Sequence, residues 1–304
     1  ISTKLIEPLS LVTSQLNKIS RPDNYGYPET QNEIRQVSDS INYLKMWFDE
    51  YKEEQEMEGK KSNRRQQDMI QASEIQQSFI KTDFSEIKNY KAIDLYAIYK
   101  PVGIVSGDLF DYFFTDDETL IFTIGDASGT GVPAALFMSI AQAIIKTNAS
   151  HKRAKDIVTR VNKDLCTSSH HQFFLTLFLG IFNLKSGILN YCNAAHTTTF
   201  ILKSNGRIME LNKSHGLPLG LYPDKEYKDI NINIERGDSI VLYTDGVTTL
   251  ENKNKERFGI NRLREELYKL SKVAEILRIL YSKLKKVWRT SKKRNPRLMI
   301  SVFL

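Results

Sequence analysis

Residues 120–135 read Leu-Ile-Phe-Thr-Ile-Gly-Asp-Ala-Ser-Gly-Thr-Gly-Val-Pro-Ala-Ala. A short apolar run, Leu120–Ile124, stops at Gly125–Asp126, and small residues and glycines follow. The length and flanking glycine predict a strand. Pro133 then opens a helix predicted over Val132–Asn148. Proline is tolerated there because the first-turn N–H groups have no helical acceptor anyway. The stretch is a strand, an acidic turn and a helix.

The same grammar occurs twice more. Ser106-Gly107-Asp108-Leu109-Phe110-Asp111 lies upstream, and Ile240–Tyr243 runs into Thr244-Asp245-Gly246-Val247 downstream. In each case a small residue abuts the aspartate. Short carboxylates on strand-end turns beside glycine can converge on one point. Hard cations such as magnesium and manganese take such oxygen ligands, with waters completing the shell. A single Asp-Gly reads as a turn; three such turns point to a metal centre.

Further strands are predicted at Asp94–Lys100, Phe173–Phe182 and Gly187–Asn193. Thr198–Lys203 and Arg207–Leu211 flank Ser204-Asn205-Gly206, a hairpin signal. Helices are predicted at Lys152–Leu165, Gly259–Lys269 and Val273–Val287. Strand runs interrupted by paired helices give an α+β layered sandwich and exclude a doubly wound parallel sheet.

The N-terminal part is different. Leu5, Leu9, Val12 and Leu16 have helical spacing, and residues 21–31 hold two prolines and a glycine. Ile34, Val37, Ile41, Leu44, Phe48 and Tyr51 then step by 3 and 4 in alternation, a coiled-coil seam. In the same register the seam becomes polar at Gln55, Glu58, Ser62 and Arg65, then returns to Met69 and Ala72.

Composition excludes several classes. The chain has 304 residues, 41% hydrophobic and 26% charged, an ordinary globular balance. Cys166 and Cys192 are its only cysteines, outside any zinc or disulfide pattern, so reduced thiols are expected. The net charge of +7 comes from eight lysines and arginines between Tyr281 and Arg297, a run without an acid. No recognition helix or basic aromatic platform accompanies it, so no nucleic-acid partner is expected. No apolar run reaches the length of a membrane span. The chain begins at Ile1 without methionine, so a preceding segment is expected to be missing.

Taken together, the motifs resemble the type 2C, metal-dependent protein phosphatases, in the bacterial branch of stage II sporulation protein E and the sigma-B regulator phosphatases. The resembling residues run in family order: Pro101 with Val105-Ser106-Gly107-Asp108, Gly125-Asp126 through Gly131-Val132-Pro133-Ala134-Ala135, and Asn193-Ala194-Ala195-His196. Leu217-Pro218-Leu219-Gly220-Leu221, Gly237-Asp238, Tyr243-Thr244-Asp245-Gly246-Val247 and Phe258-Gly259 follow. The resemblance implies a layered α-β-β-α sandwich with two Mn2+ or Mg2+ ions between the sheet ends. It implies Asp108, Asp126 and Asp245 as catalytic metal ligands, with the Ala127 carbonyl as another. A water activated by two ions would attack phosphorus in line. Ala195 stands where the family has glycine, and His196 is read as structural rather than as a general acid. Asp111 is read as exposed or structural, and His170 and His171 as loop.

Residues 1–50 resemble a HAMP signalling module, through Glu7-Pro8-Leu9 and Asn32-Glu33-Ile34. The division expected is therefore 1–50 HAMP-like helices, 51–79 a coiled-coil linker and 80–304 the phosphatase domain. The resemblance implies a homodimer through the N-terminal helices and a cytoplasmic domain of an inner-membrane sensor. The implied substrate is phosphoserine or phosphothreonine on a regulatory partner, a STAS-type antagonist.

One departure opens an alternative. The family carries an acidic pair before its last strand, and here Arg294 and Asn295 occupy that place ahead of Leu298–Phe303. A guanidinium there repels a cation, so the alternative is a weak or inactive relative that binds a phosphoprotein as a signalling scaffold. Ser106-Gly107-Asp108-Leu109-Phe110 superficially resembles a diguanylate cyclase signature, but the Asp126 and Asp245 motifs do not fit that family. No glycine-rich ATP lid supports a histidine kinase.

Overall fold

A computed structural model describes residues 62–81, 83–99, 104–168, 173–252, 254–270 and 299–303. The HAMP-like residues 1–50, the helix expected at 273–287, Arg294, Asn295, His170 and His171 lie outside them.

The chain enters through helix α1 (Ser62–Phe79) and a short helical turn at Glu86–Asn89. Strands β1 (Asp94–Ile98), β2 (Asp108–Asp116) and β3 (Thr119–Ala127) follow, then helices α2 (Gly131–Thr147) and α3 (Ala154–Ser168). Next come β4 (Leu175–Asn183), β5 (Ile188–Ala194), β6 (Thr199–Leu202), β7 (Ile208–Leu211), β8 (Ile230–Asn233) and β9 (Ser239–Tyr243). A single turn α4 (Asp245–Thr248), helix α5 (Gly259–Leu270) and β10 (Met299–Phe303) complete the order.

The strands form two five-stranded sheets with all neighbours antiparallel, ordered β1-β10-β9-β6-β7 and β2-β3-β4-β5-β8. Three apolar layers set the stack. Phe110, Phe122 and Phe178 of the second sheet meet Leu95, Ile240 and Leu242 of the first. The other face of the second sheet, with Leu109, Leu177 and Leu179, packs on Met138 and Ile145 of α2 and Val158 of α3. The outer face of the first sheet, with Phe200, Val241 and Tyr243, packs on Leu263 and Leu267 of α5. The result is the α-β-β-α sandwich, with helices packed on the outer face of each sheet as layered folds require. Each fully buried Leu or Phe contributes roughly 1.5–3 kcal/mol relative to exposure.

The predicted hairpin joins β6 to β7, and Gly206 supplies the positive φ (82°) that the turn needs. Two strands carry no sequence signal of their own. In β2 six successive residues are buried, so polar and apolar positions do not alternate. The edge strand β8 (Ile-Asn-Ile-Asn) is mostly exposed. The two aspartates read as turn residues are in fact strand residues: Asp108 starts β2, and Asp126 lies within the end of β3.

Candidate functional site

The β2–β3 register places Asp108 directly opposite Asp126. Both lie on the face that meets the other sheet, in the same alternation as Phe110, Phe122 and Ile124. Asp108 is fully buried, and Asp126 is partly so. Like charges facing each other across an antiparallel pair repel, and burial sharpens the repulsion. A cation between them removes both penalties.

The residues before Asp108 shape the carboxylate's surroundings. Ser106 Oγ donates to Asp108 Oδ2 at 2.7 Å. Ser106 is itself clasped by Gln76 of α1: Gln76 Nε2 donates to the Ser106 carbonyl at 2.5 Å, and Ser106 N–H donates to Gln76 Oε1 at 2.9 Å. Gly107 packs against the end of β3, where Ala127 N–H donates to its carbonyl at 3.0 Å. A Cβ on Gly107 would stand 3.0 Å from the Ala127 carbonyl oxygen and 3.2 Å from the Ala134 Cβ. Glycine lets the two acidic segments close. Tyr99 is another neighbour: its hydroxyl pKa is pushed up, by burial first and by the Asp108 charge second.

Asp245 sits just beyond β9, in the other sheet, and is exposed. A chain of contacts joins its strand to Asp126. Thr176 is the β4 partner of Asp126, and its hydroxyl lies 3.4 Å from the Asp126 carbonyl and 3.0 Å from His196 Nδ1. His196 N–H donates to Asn193 Oδ1 at 2.8 Å. The next residue, Thr197, donates its hydroxyl to the carbonyl of Tyr243, the last residue of β9. The structure thus brings Asp108 and Asp126 together, with Asp245 at the same end of the sandwich across the sheet gap. Among the described residues, no three His, Cys, Asp or Glu side chains group closely enough to hold an ion.

The donor set fits a hard divalent ion. It consists of two opposed carboxylates and a backbone carbonyl at their strand end; the Asp245 carboxylate, beyond β9, is not grouped with them. Magnesium commonly uses one or two protein carboxylates and keeps waters and phosphate oxygens for the rest. Neither thiol competes: Cys166 and Cys192 are buried, and burial raises both thiol pKa values, that of Cys192 to about 12. His196 is neutral at ordinary pH. Burial lowers its pKa to about 4, while the Tyr243 backbone partly opposes the shift.

Asp111, read as exposed or structural, is 1% exposed and structural. It faces α2, where Lys146 Nζ lies 3.0 Å from Oδ2 and Gln142 donates to the same oxygen at 2.8 Å. Sequence reasoning gave no role to Gln76, Tyr99 or Thr176. Gln76 and Thr176 reach their targets from 30 and 50 residues away, and no local pattern reports such distances.

Comparison with known proteins identifies the family and the fold. The family described as "Stage II sporulation protein E (SpoIIE)" matches residues 116–296. Protein IcfG of Synechocystis sp. is 31% identical over 69% of this chain and 37% of its own length. Phosphoserine phosphatase RsbU of Bacillus subtilis is 29% identical over 71% of this chain and 64% of its own length. The chain therefore spans less than two thirds of either relative. Among solved structures, the SiaA-PP2C domain of Pseudomonas aeruginosa superposes with a TM-score of 0.67 at 18% identity. It covers 79% of this chain and 96% of that domain, a likeness of fold.

Proposed function

The chain belongs to the stage II sporulation protein E branch of the type 2C phosphatases, and on that premise we propose that it hydrolyses phosphoserine or phosphothreonine on a regulatory partner protein, using divalent manganese or magnesium. The observation that carries the proposal is the direct opposition of Asp108 and Asp126 on the inter-sheet face, beside the Ala127 carbonyl. Asp108, Asp126, Ala127 and Asp245 are the residues that would hold two ions. Bound there, divalent ions acidify water and neutralise charge on phosphoryl oxygens.

The chain's own residues do the rest. Ser106 orients the Asp108 carboxylate, and Gly107 admits the close approach of Ala127. Asp245, exposed just beyond β9, is the proposed ligand most open to a phosphorylated loop. Phosphate-ester hydrolysis is very slow unaided, so charge stabilisation must supply much of the barrier reduction.

RsbU is named a phosphoserine phosphatase, which supports a phosphoprotein substrate here. A small STAS-type antagonist is the substrate class we assign. Control by the N-terminal helices, and dimerisation through them, belong to the same reading, with residues 1–50 as a HAMP-like module, 51–79 as linker and 80–304 as the catalytic domain. The Gln76–Ser106 clasp supports that control, because it joins the linker helix to the residue that orients Asp108. A membrane sensor ahead of Ile1 would complete the arrangement; among the described residues no helix is long and apolar enough to cross a membrane.

The test is manganese-dependent phosphate release from a serine-phosphorylated STAS protein. Turnover that vanishes in Asp108→Asn and Asp126→Asn supports the proposal. Folded protein that binds the phosphoprotein but shows no turnover at saturating manganese replaces it with the scaffold reading, which Arg294 and Asn295 in the place of the acidic pair favour.

A further inference from the structure

His196 is a buried imidazole at the junction of the two sheets, and nothing in the metal reading requires it. Its surroundings are specific. Nδ1 lies 3.0 Å from Thr176 Oγ1, and the same hydroxyl lies 3.4 Å from the Asp126 carbonyl. Its backbone N–H donates to Asn193 Oδ1. Nε2 is buried and closes no hydrogen bond, although the Tyr243 backbone stands beside the ring. Thr197 ties the Tyr243 carbonyl, two residues before Asp245. Ala195, immediately ahead, has φ of 56°, a left-handed conformation that non-glycine residues rarely adopt. Strain of that kind persists only where the surroundings fix it, and the Asn193 side chain and the Ser214 hydroxyl fix it here.

We propose that His196 is a positioning residue for the metal centre: through Thr176 it holds the Asp126 segment of one sheet, and with Thr197 it holds the β9 end that carries Asp245. The side chain sets the spacing between carboxylates that belong to different sheets. Nδ1 of the ring addresses the Thr176 hydroxyl on one sheet, and the adjoining Thr197 hydroxyl addresses the β9 end of the other. Partners that orient ligands from behind typically change metal affinity by about 10–100-fold when removed. This inference rests on the phosphatase reading above.

The test compares the whole chain with its His196→Ala, His196→Asn and Thr176→Val variants, each by manganese calorimetry, thermal melting and turnover at saturating manganese. The expected result is manganese binding weakened at least tenfold in His196→Ala. Turnover at saturating metal should stay close to wild type. Partial recovery is expected in His196→Asn, whose amide stands near the position of Nδ1. Unchanged manganese affinity with a lower melting temperature overturns the inference, since His196 would then only stabilise the fold. A large loss of turnover at saturating manganese also overturns it, because the ring would then act on the reacting atoms. If His196→Ala does not fold, Thr176→Val and His196→Asn decide between the same results. No manganese uptake by the wild-type chain defeats the phosphatase reading itself, a result distinct from a difference between variants.

Discussion

Gln76 and Ser106 hold each other twice, amide to carbonyl and backbone N–H to amide oxygen, across 30 residues of sequence. Both are buried. The clasp docks the end of α1 onto the turn whose hydroxyl orients Asp108, so a helix outside the sandwich touches the candidate site through a single intermediary.

Replacing Gln76 with leucine leaves the Ser106 N–H and carbonyl without their partners. A buried unsatisfied group costs about 1–3 kcal/mol. Chemical denaturation should show a loss in that range, and calorimetry should show weaker manganese binding. Gln76→Glu keeps the acceptor for Ser106 N–H but sets a carboxylate against the Ser106 carbonyl, so it should be no better.

The Asp111–Lys146 pair predicts a non-additive result. Both side chains are nearly inaccessible, and Gln142 and the Tyr112 N–H also donate to Asp111. Removing one partner of a buried pair typically costs about 3–5 kcal/mol, whereas replacing both by apolar groups is often near neutral. Asp111→Ala should therefore destabilise more than the double replacement Asp111→Leu with Lys146→Met, measured by urea unfolding.

Ala195 predicts a gain. A left-handed backbone costs an L-residue roughly 1–2 kcal/mol, and glycine adopts it freely at some expense in unfolded-state entropy. Ala195→Gly should raise stability by a few tenths to about 1 kcal/mol. Ala195→Val, β-branched in the same conformation, should lower it. Melting curves at pH 7 separate the two.

Acid stability should carry the mark of the buried His196 and half-buried His215 imidazoles. The His196 pKa falls from an ordinary 6.5 to about 4 in the fold, chiefly through burial, and burial lowers that of His215 as well. Between those values the unfolded chain binds a proton that the folded chain refuses. Stability is therefore full above about pH 6.5 and declines as pH falls towards 4. For His196 the decline is on the order of 2–3 kcal/mol. Urea titrations at pH 7 and pH 5 should show it, and His196→Asn should flatten the slope.

Much of the sandwich was legible because its elements announce themselves locally. Leu120–Ile124 ends at a glycine and an acid, Pro133 marks a helix start, and Asn205–Gly206 marks a hairpin. Strand β2 escaped because it is buried on both faces and has Asp111 inside it, so neither alternation nor an apolar run appears. Strand β8 escaped because an exposed four-residue edge has little pattern to show. At the site, the glycine-flanked aspartates could be singled out from spacing and resemblance, but their mutual placement could not. The facing of Asp108 and Asp126 follows from strand register. The link from Thr176 through His196 to the end of β9 follows from sheet stacking. Both arise only when distant segments meet.

Strand β10 has a consequence for how the molecule is made. It lies between β1 and β9, although the ribosome delivers it after every other described strand. Until translation reaches Met299–Phe303, both neighbours present bare edges, and such edges recruit foreign strands. Nascent chains stalled before this segment should thus depend on chaperones and aggregate readily. Completion of the first sheet becomes a late checkpoint in biosynthesis.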